Sequence, residues 1–77
     1  MNIFYNRSDS CTGTVSGKNS SGVYLTLADG QTAFAYGFTT LRPGMTVYGT
    51  VMRRPTSEKD MLVSIDSVDY DYDMLIA

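Results

Sequence analysis

The stretch Val23-Tyr24-Leu25-Thr26-Leu27-Ala28-Asp29-Gly30-Gln31 decides the fold class. Val23, Leu25 and Leu27 fall on one side and Tyr24 and Thr26 on the other, the period of two that a strand with one buried face requires. The Asp29-Gly30 pair that follows is a hairpin signal, because these residues tolerate the positive φ that a tight β-turn demands. A third strand is therefore expected from Gln31 to Tyr36. Its faces stay open, since either Ala33 with Ala35 or Phe34 with Tyr36 fits as the inner pair.

The same pattern spreads outward in both directions. Upstream, Cys11 to Lys18 reads as a first strand with Val15 inward and Gly13 and Gly17 easing its curvature. Lys18-Asn19-Ser20-Ser21-Gly22 is turn chemistry. Downstream, a short break at Gly37 to Thr40 leads into Leu41-Arg42-Pro43-Gly44, where proline then glycine favours a turn. The fourth strand, Met45 to Arg53, turns Met45, Val47, Gly49 and Val51 inward and Tyr48 and Thr50 outward. Arg54 to Asp60 is a polar loop, and a fifth strand runs from Met61 to about Ser67 with Met61, Val63 and Ile65 inward. No segment shows a capped helical period. Strand signals about every ten residues point to an all-β sandwich or barrel.

Two flanks complete the organisation. Residues 1–10 form a lead-in whose Ile3-Phe4-Tyr5 triplet is expected to pack on the body. In the extension 68–77, Val68, Tyr70, Tyr72 and Met74 alternate with Asp69, Asp71 and Asp73. It prolongs the fifth strand, forms an extra edge strand, or is a mobile tail; continuation is favoured because valine and tyrosine prefer the β state.

Composition removes several functional classes. At 77 residues the chain is one domain with a thin core. A single cysteine and no histidine leave out disulfide frameworks, zinc sites and histidine acid–base chemistry. No basic-then-apolar leader opens the chain, and no run of about 18 apolar residues offers a membrane span. A soluble, cytoplasmic, non-catalytic binding module is expected. The net charge is −2 and the pI about 4.6, which speaks against indiscriminate nucleic-acid binding. The signs are nevertheless segregated: residues 1–65 carry all six basic residues and four of the acidic ones, and residues 66–77 carry four aspartates and no cation.

The order of motifs resembles a known family. Gly13-Thr14-Val15, Gly22-Val23-Tyr24-Leu25, Leu41-Arg42-Pro43-Gly44-Met45-Thr46-Val47-Tyr48-Gly49-Thr50-Val51 and Leu62-Val63-Ser64-Ile65 resemble the S1-type RNA-binding domain, over residues 11 to 67. The resemblance implies a small five-stranded OB-fold Greek-key barrel, a fold whose second and third strands bind oligonucleotides or oligosaccharides. It also exposes departures. Ser21 stands where the family usually has the first aromatic of a pair, while Tyr24 keeps the second. Tyr36 stands where a histidine is expected, and Pro55 falls near the acidic position. Asp60, or Lys59 with a one-residue shift, falls at the basic one. The segment between the third and fourth strands is cut to a few residues.

From these residues the expected site follows. Tyr24, Tyr36 and Tyr48 are candidates to stack on bases, and Lys18, Arg53, Arg54 and Lys59 to hold phosphates without reading sequence. The expected partner is single-stranded RNA, with DNA second, bound weakly. A plain alternative is that the tyrosines make cross-strand pairs and the cations solvate loops. The chain is then a protein-interaction adaptor, with a protein partner recruited through the acidic tail. Its apolar end, Leu75-Ile76, resembles the partner-recruiting tips of bacterial single-strand-binding proteins. An oligosaccharide ligand would use the same tyrosines. Cys11 reads as a small strand residue rather than a nucleophile. Gly13 with Gly17-Lys18-Asn19 lacks the spacing and the Ser/Thr of a phosphate-binding loop, and the tail aspartates lack the spacing of a calcium loop. No cofactor or metal is expected.

Overall fold

A computed structural model describes residues 6–69. Strands β1 (Ser10–Lys18), β2 (Gly22–Leu27), β3 (Thr32–Tyr36), β4 (Thr46–Arg53) and β5 (Met61–Asp69) follow one another without a helix among the described residues. They close into a barrel in the order β1-β2-β3-β5-β4. Every neighbour is antiparallel except β3 and β5, which run parallel through Ala33 opposite Met61 and Phe34 opposite Leu62. β1 belongs to two ladders, with β2 and with β4, so every one of the five described strands has a neighbour on both sides, the arrangement that protects against edge-to-edge pairing. This is the expected all-β five-stranded Greek-key barrel, with strand ends displaced by one or two residues.

The hairpin register settles the faces of β3. Leu27 N–H donates to the Gln31 carbonyl at 2.8 Å and Gly30 N–H to that of Leu27 at 2.9 Å. Leu25 therefore pairs with Ala33 and Val23 with Ala35. Directly opposed residues share a face, so the alanines point inward, both fully buried, and Phe34 and Tyr36 point outward. The rest of the interior includes Val15, Leu25, Val47, Val51, Met61 and Val63, joined by Leu41 and Met45 from the segment between β3 and β4. No buried side-chain polar atom is left without a partner among the described residues.

Two glycines mark close approaches of the strands. A Cβ on Gly49 would overlap the carbonyl of Ser64 and the side chain of Val63, and one on Gly22 would overlap the carbonyl of Ala35 and the ring of Phe34. The turn at Pro43-Gly44 docks on β1, with Gly44 N–H donating to the Val15 carbonyl at 2.7 Å and Val15 N–H to that of Met45 at 2.8 Å. Met45 is buried as expected, although β4 proper begins one residue later.

Both flanks are partly visible. Ser8 N–H donates to the Val51 carbonyl and Val51 N–H to that of Asp9, so the end of the lead-in lies along β4. β5 continues past Ser67 to Asp69, with Val68 half-buried against the core. The alternation of the tail thus extends the strand that far. Ile3-Phe4-Tyr5, Tyr70, Tyr72 and Met74-Leu75-Ile76 lie outside the described residues.

Candidate nucleic-acid interface

The outward residues of β2 and β3 form a continuous aromatic floor. Tyr24 and Phe34 are cross-strand partners, with ring centroids 5.1 Å apart at 61°. Phe34 and Tyr36, two residues apart on one strand, meet at 5.1 Å and 89°. Such edge-to-face contacts are each worth about 0.5–1.5 kcal/mol beyond area burial, so the floor is held in shape by its own rings. Gly22 makes room for it, since the Phe34 ring lies where a side chain at that position would stand. Tyr24 and Phe34 are half-buried, and Tyr36, at 67%, is the most open of the three.

Polar groups make the walls. At the turn between β1 and β2, the Asn19 Oδ1 accepts the N–H groups of Ser21 at 2.8 Å and Gly22 at 3.0 Å. Its Nδ2 donates to the Tyr24 hydroxyl at 3.3 Å, leaving that O–H proton to point at another acceptor. On the other side, Arg53 ends β4 and donates from Nη2 to the Asp60 carbonyl at 3.2 Å. The loop beyond it is folded on Thr56, whose Oγ1 accepts from the N–H groups of Glu58 and Lys59 and whose own N–H donates to the Lys59 carbonyl. Between these walls lies an open cleft of about 320 Å³, floored by the three rings and bordered by Asn19 and Ser21 on one side and Arg53, Lys59 and Asp60 on the other. Two cations face one carboxylate, so the cleft is locally positive on a chain whose net charge is −2.

Four of the seven expected residues, Tyr24, Tyr36, Arg53 and Lys59, line this cleft. The other three do not. Tyr48 lies opposite Thr12 and Ser67 on a different face, where its hydroxyl meets Asp69 Oδ2 at 3.5 Å. Lys18 donates from Nζ to the Thr39 carbonyl at 2.8 Å and so serves the turn after β3. Arg54 is exposed in the loop, outside the cleft lining. Phe34, Asn19, Ser21 and Asp60 complete the lining; none was among the seven expected contacts, although Ser21 and Asp60 stand at positions where the resemblance expects an aromatic and a basic residue. Phe34 was accessible in principle: the turn register that turns Leu25 inward also turns Ala33 inward, and so places Phe34 beside Tyr24.

The cysteine has a different character. Cys11 is buried, and its thiol is pushed above its ordinary value, first by burial and then by the nearby Asp66 carboxylate. A thiol held protonated is a poor nucleophile.

The barrel is similar to known structures. The intact alpha subunit of aIF2 from Pyrococcus abyssi matches 83% of this chain with a TM-score of 0.69 at 18% identity, a match that covers 30% of that chain. GSP13 from Bacillus subtilis matches 79% of this chain with a TM-score of 0.59 at 21% identity, covering 54% of that chain. This chain therefore spans about a third to a half of the length of these relatives. No protein-family model and no curated protein sequence matches it. Strand order, closure and these likenesses together show a five-stranded OB-fold barrel.

Proposed function

We propose that this barrel is a non-catalytic module that binds single-stranded nucleic acid, RNA before DNA, with weak sequence preference. The observation that carries the reading is the joint placement of an aromatic floor on β2 and β3, the strands on which OB-folds commonly hold oligonucleotides, and a cationic wall from the end of β4 and the loop after it. Tyr24 and Tyr36 offer faces on which bases stack, an interaction that any base makes. Phe34 props both rings. Arg53 and Lys59 attract the phosphates, which position the strand without reading it. The free proton of the Tyr24 hydroxyl, beside Asn19 and Ser21, supports the preference for RNA, whose 2′-hydroxyl both donates and accepts.

The test is a fluorescence-anisotropy titration of labelled poly-U, poly-A and poly-dT at low and moderate salt. Wild type is expected to bind with micromolar affinity that falls as salt rises. The double variant Tyr24→Ala/Arg53→Ala is expected to lose most of it while still melting cooperatively. A double variant that binds like wild type would refute the site. No binding by wild type at any salt would transfer the reading to a protein-interaction module.

A further inference from the structure

The row of aromatic side chains does not stop at the end of β3. Phe34, Tyr36 and Phe38 stand at every second position, and Phe38, just past the strand, is 46% exposed. Its backbone is unusual: φ is +56° at Phe38 and +80° at the preceding Gly37. A bulky aromatic residue rarely adopts that left-handed region, and such strain persists only where the surroundings impose it. Here they do. Gly37 N–H donates to the Ser21 carbonyl at 2.9 Å, Leu41 N–H to that of Phe38 at 3.0 Å, and the Lys18 ammonium to that of Thr39. The turn is pinned from three sides while its largest apolar side chain is left in water.

Phe38 is one wall of a second groove. Tyr36, Met52 and Leu62 supply the others, around a space of about 240 Å³, and no charged side chain is among the lining residues. Met52 is 47% exposed. Tyr36 lines both this groove and the aromatic cleft, so the two are adjoining compartments with one shared ring. They differ in chemistry: the first has cations for phosphates, and the second offers flat apolar surface and a polarisable thioether.

We infer that this groove is a further base-binding subsite, in which Phe38 and Met52 receive a nucleobase of the same single strand that occupies the cleft on the other side of Tyr36. This rests on the nucleic-acid reading above. The neutral lining suits the base rather than the phosphate, and the shared Tyr36 makes the groove the natural continuation of the strand's path. Pinning the turn before any ligand arrives lowers the ordering cost of binding.

The experiment compares oligo-U chains of increasing length, from two to ten nucleotides, on wild type, Phe38→Ala, Phe38→Tyr and Tyr24→Ala/Arg53→Ala, with thermal melts of each. Wild type is expected to gain affinity in a step once the chain is long enough to pass Tyr36. Phe38→Ala is expected to lose that step, about tenfold on the longer chains, and to bind the shortest chains as wild type does. Phe38→Tyr, which keeps a stacking ring, retains the step. Equal affinities of Phe38→Ala and wild type at every length would overturn the subsite, while the double variant's loss on short chains would leave the main reading standing. Failure of wild type to bind any chain would remove both. Sedimentation of the same proteins separates self-association: a wild-type dimer abolished by Phe38→Ala, with no change in oligonucleotide affinity, would also overturn the proposal.

Discussion

The outer surface of the barrel carries tyrosines on two faces, and their neighbours make them different. On β2 and β3, Tyr24 sits against Phe34, Phe34 against Tyr36, and two cations stand at the border. On β4 and β5, Tyr48 meets Asp69, Thr50 donates to Asp66 Oδ2 at 2.7 Å, and hydroxyl residues of β1 lie alongside. The alternation that turns a tyrosine outward is identical in the two cases. What separates a stacking surface from an acidic, hydroxyl-lined one is the residue across the ladder, which belongs to another strand. An outward aromatic therefore acquires a role only through register.

Both faces rest on a glycine at a close strand approach, and the largest expected effects lie there. Gly22→Ala and Gly49→Ala each force a methyl group against a backbone carbonyl, of Ala35 and of Ser64. A loss of about 3 kcal/mol is expected for each, at the upper end of overpacking costs, read from urea denaturation midpoints. The comparison predicts equal damage to the fold on both sides. A harmless Gly22→Ala would mean that the Phe34 ring is free to move and that the aromatic floor is not fixed in shape.

Binding should divide the faces where stability does not. Tyr24→Ala is expected to cost about 1–3 kcal/mol in oligonucleotide affinity, the usual worth of a base stack, and Tyr48→Ala less than about 0.3 kcal/mol on the same anisotropy assay. A Tyr48→Ala loss as large as that of Tyr24→Ala would erase the distinction between the faces. The cations sharpen the same division. Arg53→Gln and Lys59→Gln should each lower the slope of log affinity against log salt by about 0.7, the value for one phosphate contact on a single strand. Lys18→Gln and Arg54→Gln, outside the cleft, should leave the slope unchanged.

How much of this was legible in the sequence depends on the range over which each feature is decided. The five strands were legible because alternation and turn chemistry are local: Val23 to Leu27 and Met61 to Ile65 declare their buried faces within a few residues. Tyr24, Arg53 and Lys59 were legible as outward or loop residues, and Tyr36 only by its place in the order of a known domain, since local alternation left the faces of β3 open. Their association needed the ladders: the β2–β3 register for the rings, and the pairing of Arg53 with Leu62 for the cationic wall. Tyr48 satisfied every local criterion and lies on another face because β4 joins β1 and β5. Lys18 looked like a free phosphate contact until the chain brought the Thr39 carbonyl to it. Phe38 keeps the period of two of Phe34 and Tyr36 but lies past Gly37, where the strand signal ends.

The smallest expected effect tests what the acidic face contributes to the fold. Cys11 is buried beneath it, in the strand that pairs with Gly49, and Asp66 reinforces burial in holding the thiol protonated. A group whose pKa is raised on folding contributes stability that is complete below its unfolded value, here about 9.0, and that is lost as pH rises through the folded value. Removing the thiol removes that loss. Cys11→Ala should melt below wild type at pH 7, since it leaves a small void, and the gap should narrow as the pH rises past about 9.0. Asp66→Asn, which keeps a partner for Thr50 while deleting the charge, should soften the alkaline loss in the wild-type thiol background. A gap that stays constant with pH would show that the thiol is as easily ionised in the folded barrel as in the unfolded chain. Asp66 would then act on this face only as the acceptor for Thr50, and its charge would add nothing to the contrast between the two faces.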